Sequence, residues 1–350
     1  MPVLIRGIFS GGGGNITLDD CTNISVTSRS DGVEIKWKDP EDIIFNGQVT
    51  ARWTGTKLVR KEGSYPKNDK DGVLVLDCKV RNQHSAVAFK DTGVKMDVTY
   101  YYCLFPYTEK AVTMSDNNRF TGKRISILPV LKDNSWEQIS VASQSGIAQN
   151  IWKIGDEIDV ELTGLLNETI TLQIWDFNHF QKTDKSGNAG ILFGAKNLLK
   201  DKKQMNSSKT ALGGWNDSEM RKVVMNNIYN SMPTDLKKNI KEVITEANEG
   251  EPNSAKPKTC NDRVFIPGNT EIGSSWQNAD GIQKKIPIFT DNTSRLKKLN
   301  DGSGTSWSWW TRSPTREGGG YFCAVERNGA AFGSGSATDI YNGVCFCFNV

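Results

Sequence analysis

The run Trp307-Ser308-Trp309-Trp310-Thr311-Arg312-Ser313-Pro314 sets adjacent indoles beside an arginine and stops on a proline. Tyr321-Phe322-Cys323-Ala324-Val325 follows and reads as a strand of aromatic and β-branched residues. The chain then reaches a second apolar run, Val344-Cys345-Phe346-Cys347-Phe348. Between these ends, Gly329 to Gly343 is rich in Gly, Ser, Ala, Thr, Asp, Tyr and Asn. A structural frame of Trp309, Trp310, Arg312, Pro314, Phe346 and Phe348 is therefore expected. The four large rings form its floor, and Arg312 stacks on an indole or braces loop carbonyls. Such a frame around small polar residues is what a binding site on a rigid scaffold needs. The middle segment is either a ligand-displaying surface or a loop joining two core strands.

The 350 residues suggest two or three domains. With 43 basic and 40 acidic side chains, the charge balance gives no broad argument for nucleic acid or an anionic membrane as partner. No apolar run approaches the ~20 residues of a membrane helix. Met1 to Ser10 lacks the pattern of a secretory signal. Cysteines stand at 21, 78, 103, 260, 323, 345 and 347, an odd count without a C-x-x-C pair, so neither a disulfide framework nor a zinc module is expected. Most read as small buried apolar residues. Cys345 and Cys347 are two apart, so on a strand they share a face. Residues 1–14 read as an apolar attachment segment and a glycine linker.

Residues 15–122 read as strands. Val33, Ile35 and Trp37 alternate with charged residues, Thr50 to Lys61 reads as a strand pair around Gly55, and Val73–Asp77 and Thr99–Tyr107 add two more. Closely spaced turns and the missing helical period give a β-sandwich. Residues 123–155 read as a connector whose Trp136, Ile139, Ile151 and Trp152 need cover from the last domain. Residues 196–250 carry the expected helices. One is capped by Asn216 and Glu219, with Met220, Val223, Val224, Asn227 and Ile228 on one face. After Met232-Pro233, Leu236, Ile240, Val243, Ile244 and Ala247 form a second stripe.

Catalytic patterns are sparse. Asp176 and His179 can pair, but no nucleophile or third ligand accompanies them at usable spacing. Phosphate-loop, dinucleotide, G-x-S-x-G and H-E-x-x-H motifs are missing. No catalytic residue, cofactor or metal is assigned.

Two family resemblances add to this reading. Trp37-x-Asp39-Pro40-Glu41-Asp42, Trp53-x-Gly55-Thr56-Lys57-x-Val59-Arg60-Lys61, Tyr100-Tyr101-Tyr102 and Phe105-Pro106-Tyr107 resemble a fibronectin type III or immunoglobulin-like module of tail proteins from phages of Gram-positive bacteria. Trp309, Trp310, Arg312 and Pro314 resemble the W-W-x-R-S-P signature of a C-terminal domain common in phage and gut-bacterial proteins. Phe193-Gly194-x-Lys196-Asn197-Leu198, Gly213-Gly214-Trp215-x-x-Ser218-Glu219-Met220-Arg221 and Gly343-Val344-x-Phe346-x-Phe348 fit the same family, while Cys345 and Cys347 stand where its pattern often has Pro or Arg. This second resemblance implies an α+β C-type-lectin-like fold over 156–350. That fold is shared with formylglycine-generating enzymes and with the variable proteins of diversity-generating retroelements.

The retroelement comparison implies a variable region within 300–350. Its outward residues would be Ser308, Thr311, Thr315, Glu317, Tyr321, Glu326, Ala330, Phe332, Ser334, Ser336, Thr338, Asp339, Tyr341 and Asn342. Tyr, Ser, Gly and Asn suit an adaptable paratope. The resulting expectation is a non-enzymatic phage or prophage tail protein, made in the bacterial cytoplasm and carried on the virion. It binds a host cell-surface protein or glycan, attaches to other tail proteins through its N-terminal segment and forms a homo-oligomer, a trimer by analogy. The rival readings are a formylglycine-generating-enzyme-like oxidase, with copper on Cys345 and Cys347, and a secreted bacterial adhesin.

Overall fold

The computed structural model describes residues 16–251, 257–275, 283–316 and 319–350. The attachment segment and glycine linker expected over 1–14, and Glu317 of the expected surface, lie outside the described residues. The chain divides into two compact units, with the boundary between Ser126 and Ile127. Both are β-rich and built from several small sheets.

In the first unit, β1 (Thr22–Ser28), β2 (Val33–Lys38), β3 (Ile43–Phe45), β4 (Gln48–Ala51), β5 (Gly55–Glu62), β6 (Val73–Cys78), β7 (Phe89–Asp91), β8 (Thr99–Tyr107) and β9 (Arg119–Lys123) follow in order. They form a three-stranded sheet β1-β2-β7, a four-stranded sheet β6-β5-β8-β9 and the hairpin β3-β4. Val33, Ile35 and Trp37 of β2 are buried while Lys36 and Lys38 are exposed, so the period-two pattern sets the face that packs. They share a core with Leu58 of β5 and Tyr102 and Leu104 of β8. Two of the polar groups inside are paired as follows: Trp37 Nε1 donates to Asp39 Oδ1 (2.9 Å), and Tyr102 Oη donates to Asp91 (2.8 Å). The strand pair expected around Gly55 does not form. β4 pairs with β3, whereas β5 pairs with β6 and β8. The turn lies instead at Asn46-Gly47, whose φ values of 48° and 75° supply a tight hairpin turn.

In the second unit, β10 (Glu157–Leu162), β11 (Glu168–Phe177), β12 (Ile191–Ala195), β13 (Val243–Asn248), β14 (Pro257–Asp262), β15 (Val264–Phe265), β16 (Trp309–Pro314), β17 (Tyr321–Val325), β18 (Gly333–Ser336) and β19 (Cys347–Asn349) make three sheets. The orders are β10-β11-β12-β19-β15, β13-β14 and β16-β17-β18. Much of the expected connector belongs to this unit. Trp136–Gln144 is a helix with a capping box, in which Ser135 Oγ accepts from Gln138 N and Gln138 Oε1 accepts from Ser135 N. Trp136 packs edge-on against Phe193 of β12, with ring centres 5.5 Å apart.

Two helix expectations are corrected. Asn216 lies inside a short helix, Gly214–Asp217, and does not cap. The turns after it start from Ser218, whose Oγ accepts from Arg221 N at 3.2 Å, and run as a π-helix over Met220–Met225. The second stripe is two elements: a helix that ends at Asn239, then β13. Val243, Thr245 and Ala247 of β13 are buried and alternate with half-buried Ile244 and Glu246. Val243, Ile244 and Ala247 stand at i, i+1 and i+4, a helical spacing, whereas the strand puts Ile244 on the face opposite the other two.

Candidate ligand-binding surface

The floor is Arg312. Its side chain is fully buried beside equally buried Glu271. Arg312 Nη1 donates to Glu271 Oε2 at 2.7 Å, and Arg312 Nη2 donates to Glu271 Oε1. The guanidinium also donates to the carbonyls of Glu246 (2.9 Å) and Ile266 (3.0 Å) and to Gln283 Oε1 (2.9 Å). Gly268 N–H completes the carboxylate at 2.9 Å. A bidentate buried pair of this kind needs its remaining donors and acceptors filled, and here they are. Arg312 thus braces carbonyls of β13 and of the segment after β15. Among the described residues, its charge lies 5.9 Å from the centre of the Phe265 ring.

Trp309, Trp310, Phe346 and Phe348 are fully buried, and Pro314 is buried at the end of β16. Trp309 Nε1 donates to Arg295 O (3.0 Å) and Trp310 Nε1 to Lys203 O (2.7 Å). The Trp310 indole runs beneath β18, where a Cβ on Gly335 would come within 2.5 Å of its ring. Buried Arg295 braces the next turn, donating to Gly329 O (2.9 Å) and Ile272 O (3.1 Å).

On this floor the segment from β17 to β19 is held by its backbone. Ala337 O accepts from Met205 N (2.9 Å) and Asn206 N (2.8 Å), Asn342 O from Lys203 N (3.2 Å), and Val344 O from Leu199 N (3.1 Å). Asp339 closes a turn by accepting from Ser336 N at 2.8 Å. The backbone position is therefore set by main-chain bonds, the floor and the Asp339 turn rather than by exposed Tyr321, Phe332, Ser334 or Tyr341.

The expected surface residues divide. Tyr321, Glu326, Phe332, Ser334 and Tyr341 are exposed. Ser308, Ala330, Ser336, Thr338 and Asp339 are half-buried. Thr311, Thr315 and Asn342 are buried, which corrects their placement on the surface. Thr311 Oγ1 donates inward to Cys323 O (3.1 Å), Thr315 N donates to Tyr321 O (3.0 Å), and the Asn342 amide lies against Gly335. All three have the composition of a displayed residue, but composition does not say which way a side chain points.

Four residues outside the expected set join the surface: Trp307, Arg327, Lys202 and Lys209. Trp307 is half-buried and donates through Nε1 to Tyr341 O. Arg327 lies 3.5 Å and Lys202 Nζ 4.2 Å from its ring centre. One indole thus ties together the loops carrying Lys202, Arg327 and Tyr341. A second such pair sets Lys209 Nζ 4.8 Å from the Tyr321 ring. Charge in the 199–209 loop was visible in the sequence, but its position against Trp307 is a tertiary fact.

Groups that could do chemistry lie elsewhere and are occupied. His179 Nδ1 is 2.7 Å from Asp176 Oδ2, at an open cavity of about 230 Å³ lined also by Phe180, Glu246, Glu271 and Gln283. Glu271 there is committed to Arg312 and Gly268. Cys345 and Cys347 are fully buried, and burial raises both thiol pKa values. Lys297 is buried between them and the Trp175 ring, where burial lowers its pKa; its Nζ donates to Ala195 O (2.8 Å) and Lys196 O (3.0 Å). No group of three or more His, Cys, Asp or Glu side chains converges as a metal site among the described residues.

A family model described as a domain of unknown function, DUF6273, matches residues 186–350. The match lies within the second unit and contains every residue of the floor and surface described above. Comparison with curated proteins finds no match.

Proposed function

We propose that the chain is an adhesion protein of a phage or prophage tail. Its C-terminal unit, read as C-type-lectin-like, presents a ligand surface to a host cell. The observation that carries this reading is the separation of roles within one short segment. Trp309, Trp310 and Arg312 are fully buried, while Tyr321, Phe332, Ser334 and Tyr341 point outward. Outward residues can change on such a frame without loss of the backbone beneath them. The first unit, read as fibronectin type III or immunoglobulin-like, acts as spacer. A homotrimer would multiply weak contacts through effective concentration.

The test is direct. Phage particles induced from the strain that carries the gene are purified, and their proteins are identified by mass spectrometry. The labelled full chain is then applied to that strain and to related strains. Recovery in intact tails together with decoration of cells supports the reading. A chain absent from particles that decorates no cell refutes it. Diversification is tested in the genome, by a reverse transcriptase gene beside a near-copy of the 3′ coding end that differs at adenines.

A further inference from the structure

We propose that the surface around Trp307 binds an acidic polysaccharide. Arg327 and Lys202 hold its carboxylate or phosphate groups, and the aromatic rings beside them carry its sugar units. The inference rests on the adhesion reading and names the chemistry of what is bound.

The first support is an unspent pair of cations. Arg327 and Lys202 reach Trp307 from separate loops, and neither forms an ion pair with a carboxylate among the described residues. A guanidinium laid against an indole covers its weakly hydrated face and leaves its in-plane N–H groups free. Those groups form the fork that fits a carboxylate or a phosphate with two parallel hydrogen bonds. Lys202 adds a compact charge near the same ring.

The second support is how nearby acids are used. Asp339 accepts from Ser336 N at 2.8 Å, and Asp301 accepts from Ser303 N at 2.9 Å. Both carboxylates are engaged in their own turns, Asp201 beside Lys202 lies 3.5 Å from Lys203 Nζ, and exposed Glu326 beside Arg327 is the acid the ligand has to compete with. The whole chain has a net charge of only +3, so general attraction to polyanions is weak and selection must be local.

The third support is aromatic area. Tyr341 is 67% exposed, and its backbone carbonyl is held by Trp307 Nε1. Lys209 and the partly exposed ring of Tyr321 repeat the cation–aromatic pairing on β17. The C–H faces of a sugar ring pack flat on an aromatic face, and tyrosine gives that area at little conformational cost. Anion forks beside flat rings suit a charged sugar better than a bare phosphate chain.

The experiment uses the full chain in biolayer interferometry against polygalacturonate, phosphorylated dextran, neutral dextran and single-stranded DNA. At about 0.05 M salt the two acidic polysaccharides should bind, neutral dextran should not, and binding should weaken at ~0.5 M salt. The two acidic probes separate a carboxylate ligand from a phosphate ligand. The double variant Arg327→Gln/Lys202→Gln should weaken acidic-sugar binding at least about tenfold while the chain stays folded at the assay temperature. Tyr341→Ala should weaken the sugars but leave DNA unaffected. The proposal is overturned if no probe binds, if neutral dextran binds as well as the acidic forms, or if the double variant binds like the wild type. It is also overturned if DNA binds as tightly as the sugars and Tyr341→Ala changes neither. Each of these results leaves the adhesion reading intact when the labelled chain still decorates cells. Acidic-sugar binding without cell decoration or tail incorporation would overturn the adhesion reading alone.

Discussion

Arg312→Ala removes one member of a fully buried ion pair and leaves Glu271 behind. The carboxylate keeps only the Gly268 N–H, and the Glu246 and Ile266 carbonyls each lose a charged donor. Breaking a buried pair from one side costs about 3–5 kcal/mol, chiefly because the remaining charge is uncompensated. In a unit of this size each kcal/mol moves the midpoint by about 2–4 °C, so a fall of at least ~6 °C is expected. Differential scanning calorimetry of the full chain measures it, with the first unit's transition as internal reference. The double variant Arg312→Met/Glu271→Leu has no orphaned charge and should melt above Arg312→Ala. If Arg312→Ala melts within ~2 °C of wild type, the pair does not hold the floor and the reasoning fails.

Other outcomes follow from the same contacts. Gly335→Ala should destabilise by about 1–3 kcal/mol in urea unfolding, because its Cβ meets the Trp310 ring at 2.5 Å, whereas Ser334→Ala on the outward face should stay within about 0.5 kcal/mol. Asp262→Ala should cost about 3–5 kcal/mol, since Asp262 accepts from Trp215 Nε1 (2.8 Å), Thr245 Oγ1 (2.6 Å) and Arg221 Nε (2.7 Å). Thiol labelling should follow burial: with Cys103 and Cys260 pushed up to about 11, less than ~1% of either is thiolate at pH 8. Peptide mapping should find both unmodified by iodoacetamide in the native chain and fully alkylated in guanidinium.

What could be read from the sequence was whatever a local period or a strong motif encodes. Val33, Ile35 and Trp37 announced β2, and the adjacent tryptophans announced a buried floor. Val243–Asn248 resembles a helical stripe because Val243, Ile244 and Ala247 fall at helical spacing, and pairing with β14 is what makes it a strand. The helix Trp136–Gln144 carried an unused signal, Ser135 followed three residues later by Gln138. At the surface, composition identified the segment but not the direction of each side chain. Thr311 and Thr315 are buried on β16 and its continuation, which pair edge to edge with β17 in one sheet. Glu271, the partner of Arg312, lies forty-one positions away in an irregular loop, and no spacing rule links the two.

The most direct measurement compares two libraries of the full chain for folding and for ligand binding. One randomises Tyr321, Glu326, Phe332, Ser334 and Tyr341; the other randomises Thr311, Thr315 and Asn342. Members of the first should mostly keep the wild-type melting temperature while their binding changes, and members of the second should mostly lose the fold. Collapse of the first library, or folded members that bind like wild type whatever residues they carry, would contradict the division into a fixed floor and an exchangeable surface.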